Sequence, residues 1–172
     1  ASRSERLKSF ESEVNESFQL DLVGNTRQRM VKRKVKRFSS NSLSLDISLG
    51  GGWPQGRIIL ICGPEGGGKS ELCTQACVSI ENYSHETGNR LTPEHIEEKP
   101  DDKGMALYCD IEGTADLTWM EHKGFNFDHH SYASLDYTEQ VIDVVDTAIE
   151  QGVFDVIVVD SLAAMSPLTE VN

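Results

Sequence analysis

The sequence predicts an α/β domain built on a mostly parallel central sheet, and three observations support this prediction. Short apolar runs typical of buried strands alternate with segments whose apolar residues recur at helical spacing. A glycine-rich turn separates the first apolar run from a helical segment, and the last run ends in an acidic residue. The 172 residues suit one such domain with a short N-terminal appendage.

The appendage begins with a predicted amphipathic helix over residues 2–18. Its apolar side chains recur at three- and four-residue spacing: Leu7, Phe10, Val14 and Phe18. Because so narrow an apolar stripe does not stabilise an isolated helix, we expect this helix to dock on another surface. Gly24 and Asn25 are expected to end the segment.

The remaining elements follow in chain order. Helices are predicted over residues 42–49, 69–86, 117–122 and 138–151, and the first of these is expected to end at the glycines 50–52. Buried strands are predicted at residues 57–62, 105–109 and 155–159, with a further short strand near Tyr132. Residues 87–104, rich in Glu, Asp, Pro and Lys, predict a mobile surface insertion.

Composition excludes several classes of protein. No apolar run approaches the roughly 18 residues that a membrane helix needs, and no signal-peptide pattern opens the chain. The four cysteines and five histidines have neither disulfide-framework nor zinc-ligand spacing. We therefore expect no membrane partner and a location in a reducing cytoplasm, where buried thiols are ordinary core residues.

The net charge of −12 is unevenly distributed. Residues 1–37 hold 10 basic and 5 acidic side chains, whereas the remaining residues carry a net −17. The basic side chains are densest over residues 27–37. This arm could be a solvated segment or a protected edge strand, or it could contact an acidic surface or a phosphate backbone. We favour contact with the acidic surface of a neighbouring subunit, with DNA as the second choice. The expected domains are residues 1–37, for oligomerisation, and the core 38–172.

The glycine-rich turn matches the full Walker A pattern G-x-x-x-x-G-K-[ST]. Its residues, together with the acid that follows them, are the expected cofactor-binding residues: Gly63, Pro64, Glu65, Gly66, Gly67, Gly68, Lys69, Ser70 and Glu71. Backbone N–H groups of such a loop form a nest for phosphate at a helix start. Lys69 is expected to reach the β- and γ-phosphates of ATP and to act as a catalytic residue, and Ser70 is expected to bind Mg²⁺. The alternative is a glycine-rich turn that contains Lys-Ser by accident.

Two acidic segments follow predicted strands and therefore lie at the ligand edge of the sheet. Asp160 ends the last apolar run and is predicted to support Mg²⁺, although it could instead cap the next helical turn. Glu112 follows the strand at 105–109 and is the chosen catalytic residue, which orients or deprotonates the attacking water. Asp110, at the strand end, is as well suited to a structural cap.

Three stretches together resemble the bacterial and phage RecA-type recombinases. They are residues 40–57, with their Leu-Gly-Gly-Gly-Trp-Pro segment, the loop 63–70 with its uncommon Pro-Glu pair, and residues 155–164. The resemblance covers about Phe38 to Glu170. It implies a RecA-like P-loop NTPase core and a DNA-dependent ATPase that assembles a filament on single-stranded DNA and exchanges strands.

The resemblance also implies roles for individual residues. Glu112 matches the family's catalytic glutamate, and Asp116 matches an acid that contacts adenine. Trp119 falls where the family places an aromatic ring against adenine, although it could simply pack in the core. The N-terminal helix resembles the family's element for self-association. The family's DNA-binding loops correspond to regions beyond residue 172, as does a strand that would pair with residues 57–62, so we expect a longer natural protein and an incomplete sheet.

Two other functions stay open at this point. A RecA-fold helicase, loader or other motor ATPase would keep the fold and the loop but would not pair homologous strands. A non-enzymatic RecA-like module could instead use the N-terminal helix to dock on a recombinase and cap its filament.

Overall fold

A computed structural model describes residues 2–18 and 35–170 of the chain, which divides into two compact units, residues 1–35 and 36–172. In the first unit, helix α1 spans Arg3–Phe18, which confirms the predicted N-terminal helix. The Ser2 hydroxyl accepts the Glu5 N–H at 3.2 Å, and the Glu5 carboxylate accepts the Ser2 N–H at 2.6 Å. This reciprocal pair starts the helix. Gly24, Asn25 and most of the basic arm lie outside the described residues.

The second unit alternates helices and strands, as predicted. Its helices are Leu43–Leu49 (α2), Lys69–Ile80 (α3), Pro93–Glu98 (α4), Leu117–His122 (α5) and Thr138–Gln151 (α6). Its strands are Arg37–Phe38 (β1), Trp53–Pro54 (β2), Ala106–Asp110 (β3), Ser131–Ser134 (β4) and Val156–Asp160 (β5). Single 3₁₀ turns occupy Pro100–Asp102, Leu162–Ala164 and Leu168–Glu170. No helix within these described ranges has the length and apolar character needed to cross a bilayer.

The central sheet is parallel and has the order β4–β3–β5. All five residues of β3 are buried, because side chains cover both faces of this middle strand. On one face Tyr108 packs in a core cluster with Ala76 and Ile80 of α3. On the other face Leu107 packs in a second cluster with Val141 of α6. The predicted α/β class with a parallel sheet is therefore confirmed.

The buried strand predicted at residues 57–62 is wrong. These residues have no regular secondary structure, and Ile58 and Leu60 are 102% and 70% exposed. Cys62, expected to be a buried thiol, is exposed as well. The physical reason is that an apolar run becomes a strand only when a neighbouring strand accepts its backbone hydrogen bonds. Among the described residues, no strand pairs with this segment, and β5 pairs with β3 alone.

Residues 87–104, predicted to be a mobile surface insertion, lie mostly at the surface and contain regular structure. Helix α3 ends at Ile80, earlier than predicted, and the chain then forms isolated bridges and helix α4. The buried Asp102 carboxylate accepts hydrogen bonds from the Ser84 hydroxyl at 2.6 Å and the Glu86 N–H at 2.8 Å. It also lies 2.7 Å from Nε2 of His95. These bonds, of which the one from Ser84 has the largest effect, lower the pKa of Asp102 to about 2. The ionised Asp102 side chain therefore links the insertion to the residues before it through hydrogen bonds.

His130 contacts the start of the same central strand. Its Nδ1 accepts the Ala106 N–H at 3.2 Å, and its ring is buried beside Phe125. Its Nε2 has no hydrogen-bond partner among the described residues, and the nearest carboxylate, of Glu81, is 3.9 Å away. Burial is the main reason that the pKa of His130 falls from 6.5 to about 4, so the folded protein holds it neutral.

We predict that His130 makes the unfolding free energy depend on pH between 6.5 and about 4. Since its pKa is lower in the folded state, its contribution is complete above pH 6.5 and is lost as pH falls toward 4. In His130→Asn, whose amide oxygen can still accept the Ala106 N–H, the slope of unfolding free energy against pH should fall by up to about 1.4 kcal/mol per pH unit. Urea titrations at several pH values measure the slope. An unchanged slope would contradict the assignment, and the exposed His122→Asn serves as the control.

Candidate functional site

The glycine-rich loop, residues 63–68, leads directly into α3. Gly66 and Gly68 have φ values of +70° and +80°, which side chains with a Cβ rarely adopt. A Cβ on Gly67 would lie 2.9 Å from the Pro64 carbonyl oxygen, so this turn also needs glycine. Gly68 is the N-cap of α3 and supplies no side-chain cap. The first N–H groups of α3 therefore have no side-chain hydrogen-bond acceptor. They lie at the loop end of the helix, which carries a partial positive charge.

The Lys69 side chain folds back across this loop. Its ammonium donates to the carbonyl oxygens of Gly63 at 3.2 Å and of Pro64 at 3.0 Å. The cation is therefore held over the loop, and no hydrogen bond joins it to Asp160 or Glu112 among the described contacts. Pro64, Glu65 and Ser70 are exposed.

The pairing of β3 with β5 brings the predicted acidic residues to one edge. Asp110 and Asp160 are register partners at the carboxyl ends of the two strands. The Ile111 N–H donates to the Asp160 carbonyl oxygen at 2.9 Å, which continues the ladder by one residue. Just beyond it, the Ser161 hydroxyl donates to Oε1 of Glu112. Glu112 is exposed to solvent, and this hydrogen bond holds its carboxylate against the end of β5.

Asp110 organises the loop that presents Glu112. Its buried carboxylate accepts the N–H groups of Gly113 at 2.9 Å and Ala115 at 3.1 Å, and the Tyr132 hydroxyl at 2.7 Å. Three donors satisfy this carboxylate, so it acts as a structural cap, one of the roles that the sequence left open.

Asp160 has a different environment. Its Oδ2 accepts the Tyr108 hydroxyl at 2.6 Å, and the residue is only partly buried. It is not the cap of the following turn, since that position belongs to Ser161, whose side chain makes no capping bond. Burial and then the charge of Asp160 raise the pKa of the Cys73 thiol to about 11. Helix α3, which follows the glycine-rich loop, packs against β5, the strand that ends in Asp160.

Asp116 and Trp119 lie at the start of α5. The Asp116 carboxylate caps this helix by accepting the Trp119 N–H at 3.0 Å. The Trp119 ring is 39% exposed, so it is not a core residue, and the Lys123 ammonium lies 4.9 Å from its centroid. Lys123 also pairs with Oε1 of Glu71 at 3.5 Å. Through Lys123 the tryptophan is therefore connected to α3, directly after the glycine-rich loop.

Comparison with known proteins now decides the family. The family model described as the RecA N-terminal domain matches residues 6–172, nearly the whole chain. The chain belongs to the RecA family. The resemblance found in the sequence is thereby confirmed.

Individual RecA proteins are similar to this chain over most of its length. Protein RecA of Bacillus anthracis is 33% identical over 142 residues, which are 82% of this chain and 36% of the relative. Protein RecA of a Nitratiruptor species is 34% identical over 139 residues, or 80% of this chain and 35% of the relative. Protein RecA of Rippkaea orientalis is 32% identical over 141 residues, with 82% and 35% covered. The chain thus spans about a third of the length of these relatives.

Sequence reasoning missed two residues of this site, Ser161 and Tyr108. Their hydroxyls donate to Glu112 and Asp160, respectively. Neither contact has a signal in local spacing, because both depend on the register between β3 and β5. The sequence gives one hint of these contacts: Tyr108 and Asp110 are two residues apart and therefore lie on the same face of a strand.

We predict that Asp110→Asn lowers the unfolding free energy by about 2 kcal/mol. The amide keeps one acceptor oxygen but brings an NH₂ group to a site where every neighbour is a donor. Chemical denaturation measures the loss. Asp116→Asn is the matched control, since asparagine caps helices as well as aspartate, and its cost should stay below about 0.5 kcal/mol. Equal costs for the two variants would contradict the structural role of Asp110.

Proposed function

We propose that this chain is the nucleotide-binding part of a RecA-family recombination protein and that it binds ATP with Mg²⁺. The observation that carries the proposal is one arrangement: α3, which begins at the glycine-rich loop with Lys69, packs against β5 and β3, and the ends of these strands present Asp160 and Glu112. A loop for phosphate and acids for a metal and a water are the parts that phosphoryl transfer needs.

The loop fits a polyphosphate chemically. Its glycines adopt conformations that allow backbone N–H groups to converge, and the start of α3 has no side-chain cap to compete with an anion. The long side chain of Lys69 ends in a positively charged ammonium, which donates hydrogen bonds to two neutral carbonyl oxygens. A phosphate oxygen is a stronger acceptor for an ammonium than a neutral carbonyl, so Lys69 would exchange these partners for the β- and γ-phosphates.

Ser70 and Asp160 would hold Mg²⁺. Mg²⁺ commonly takes one or two carboxylates and completes its shell with waters and phosphate oxygens, so a hydroxyl and one carboxylate are suitable protein ligands for it. When bound, Mg²⁺ would neutralise charge on the phosphates. Glu112 would accept a proton from, or orient, the attacking water, and the Ser161 hydroxyl keeps its carboxylate directed to that edge.

Trp119 and Asp116 are proposed to contact adenine. The exposed indole offers a flat apolar face, and its link to Glu71 through Lys123 keeps α5 close to the loop helix. Asp116 serves the helix cap already, so one of its carboxylate oxygens is engaged and the other can accept a base amino group.

Recombination is the proposed activity of the longer protein. We propose that it assembles head to tail with copies of itself and binds single-stranded DNA through regions beyond residue 172. The apolar Leu7 and Phe10 of α1, 56% and 54% exposed, support self-association. A strand-exchange assay on the full-length protein tests this, since unwinding of duplex without pairing of homologous strands would favour a helicase or loader instead.

We predict that Lys69→Ala in the full-length protein weakens ATP binding by roughly 10- to 100-fold, because charge-assisted hydrogen bonds to phosphate are lost. Calorimetric titration with a non-hydrolysable ATP analogue measures the affinity. Lys99→Ala, which removes an equally long cation paired with Glu86, is the control. Unchanged affinity in Lys69→Ala would refute the phosphate loop.

We predict that Glu112→Gln leaves nucleotide affinity within about twofold of the parent but lowers DNA-stimulated ATP hydrolysis by roughly 100-fold or more, since an amide is no base. Steady-state phosphate release measures the rate, with the exposed Glu97→Gln as the control. Turnover at the parental rate would exclude Glu112 from catalysis.

A further inference from the structure

Two tyrosines on adjacent strands form a stacked pair on one face of the central sheet. Tyr108 of β3 and Tyr132 of β4 are register partners, and their rings stack with centroids 6.1 Å apart and planes inclined by 16°. Tyr108 is 1% exposed and packs edge-on against Phe125. Its ring therefore has no freedom to turn its hydroxyl elsewhere.

Each tyrosine hydroxyl reaches an aspartate on the neighbouring strand by the same diagonal step. Tyr108 lies opposite Val158 and donates to Asp160, two residues further along β5, at 2.6 Å. Tyr132 lies opposite Tyr108 and donates to Asp110, two residues further along β3, at 2.7 Å. The period of two in a strand places both donors and both acceptors on the same sheet face.

The two acceptors differ in what else they bind. Asp110 is buried and also accepts two loop N–H groups, so the Tyr132 hydroxyl is one of its three donors. Asp160 is partly exposed, and Tyr108 is the sole hydrogen-bond donor to its side chain among the described residues. One carboxylate oxygen of Asp160 is therefore engaged by a rigid donor, while Oδ1 has no protein donor in that part of the chain.

A hydroxyl that donates to a carboxylate at 2.6 Å is a strong, charge-assisted hydrogen bond. Such outer partners of a metal-supporting carboxylate commonly change metal affinity by 10- to 100-fold when removed.

We propose that Tyr108 is a positioning residue of the magnesium–nucleotide site: its hydroxyl fixes the orientation of Asp160 through Oδ2 and leaves Oδ1 for the hydrated ion. This inference rests on the proposed function. Tyr132, with the same chemistry on the same face, supports the loop that carries Glu112 through Asp110 and has no such role for the ion.

The test compares Tyr108→Phe with Tyr132→Phe in the full-length protein. Each variant removes one hydroxyl from a stacked ring and keeps its volume. The measurement is the affinity for a fluorescent, non-hydrolysable ATP analogue as a function of Mg²⁺ concentration, with thermal unfolding recorded for each variant. In Tyr108→Phe, the Mg²⁺ concentration at the midpoint should rise roughly tenfold, while affinity for the analogue in EDTA stays unchanged. Tyr132→Phe should keep the parental midpoint.

A double variant separates positioning from general loosening of the sheet. With Asp160→Asn already present, Tyr108→Phe should move the Mg²⁺ midpoint no further, because the hydroxyl acts through that carboxylate. An unchanged midpoint in Tyr108→Phe, or an equal rise in Tyr132→Phe, would overturn the inference. The proposed function would still be supported if the parent protein binds the analogue in a Mg²⁺-dependent way. If the parent binds no nucleotide at any Mg²⁺ concentration, the proposed function fails and the inference fails with it.

A second measurement tests the inference even if the Tyr108→Phe variant does not fold. Fluorotyrosine introduced at position 108 of the parental sequence reports on the phenol by ¹⁹F NMR. Its resonance should shift when Mg²⁺ is added to the nucleotide complex, whereas fluorotyrosine at position 132 should shift less. No Mg²⁺-dependent shift at position 108 would overturn the inference.

Discussion

The parallel hydrogen bonding between β3 and β5 fixes where Asp110, Asp160 and Glu112 of the candidate site lie. Asp110 and Asp160 are opposite one another because of this register, and the ladder extends through the Ile111 N–H. The Ser161–Glu112 and Tyr108–Asp160 bonds both cross the same boundary between strands. A slip by one residue would turn the side chains of β5 to the opposite face and separate all of these pairs.

Two buried aspartates perform the same task in different places. Asp102, inside the insertion, collects donors from Ser84 and Glu86 just before it, and Asp110 collects donors from the loop before α5. In each case an irregular backbone gains a single acceptor that satisfies several N–H or O–H groups at once. The insertion is therefore ordered although its composition is that of a solvated segment, and the Glu112 loop is ordered although it is exposed.

Local signals were sufficient for most helices and for the middle strand. Helix α5 begins at its Asp116 cap and α2 ends at Gly50, and both signals are readable in the sequence. Residues 57–62 show the opposite case, because apolar composition states a preference for burial and cannot supply a partner strand. In the site, the glycine-rich loop and Asp160 could be found from pattern, whereas Ser161 and Tyr108 could not, since a register between distant strands decides their contacts.

The sheet order also has a consequence for how the chain folds. The chain between β3 and β5 is about twice as long as that between β3 and β4, so closing it costs about 0.6 kcal/mol more conformational entropy. Contacts close in sequence form before distant ones when their energies are similar. We therefore expect the stacked tyrosines of β3 and β4 to meet first, and the edge with Asp160 and Glu112 to be completed last during folding.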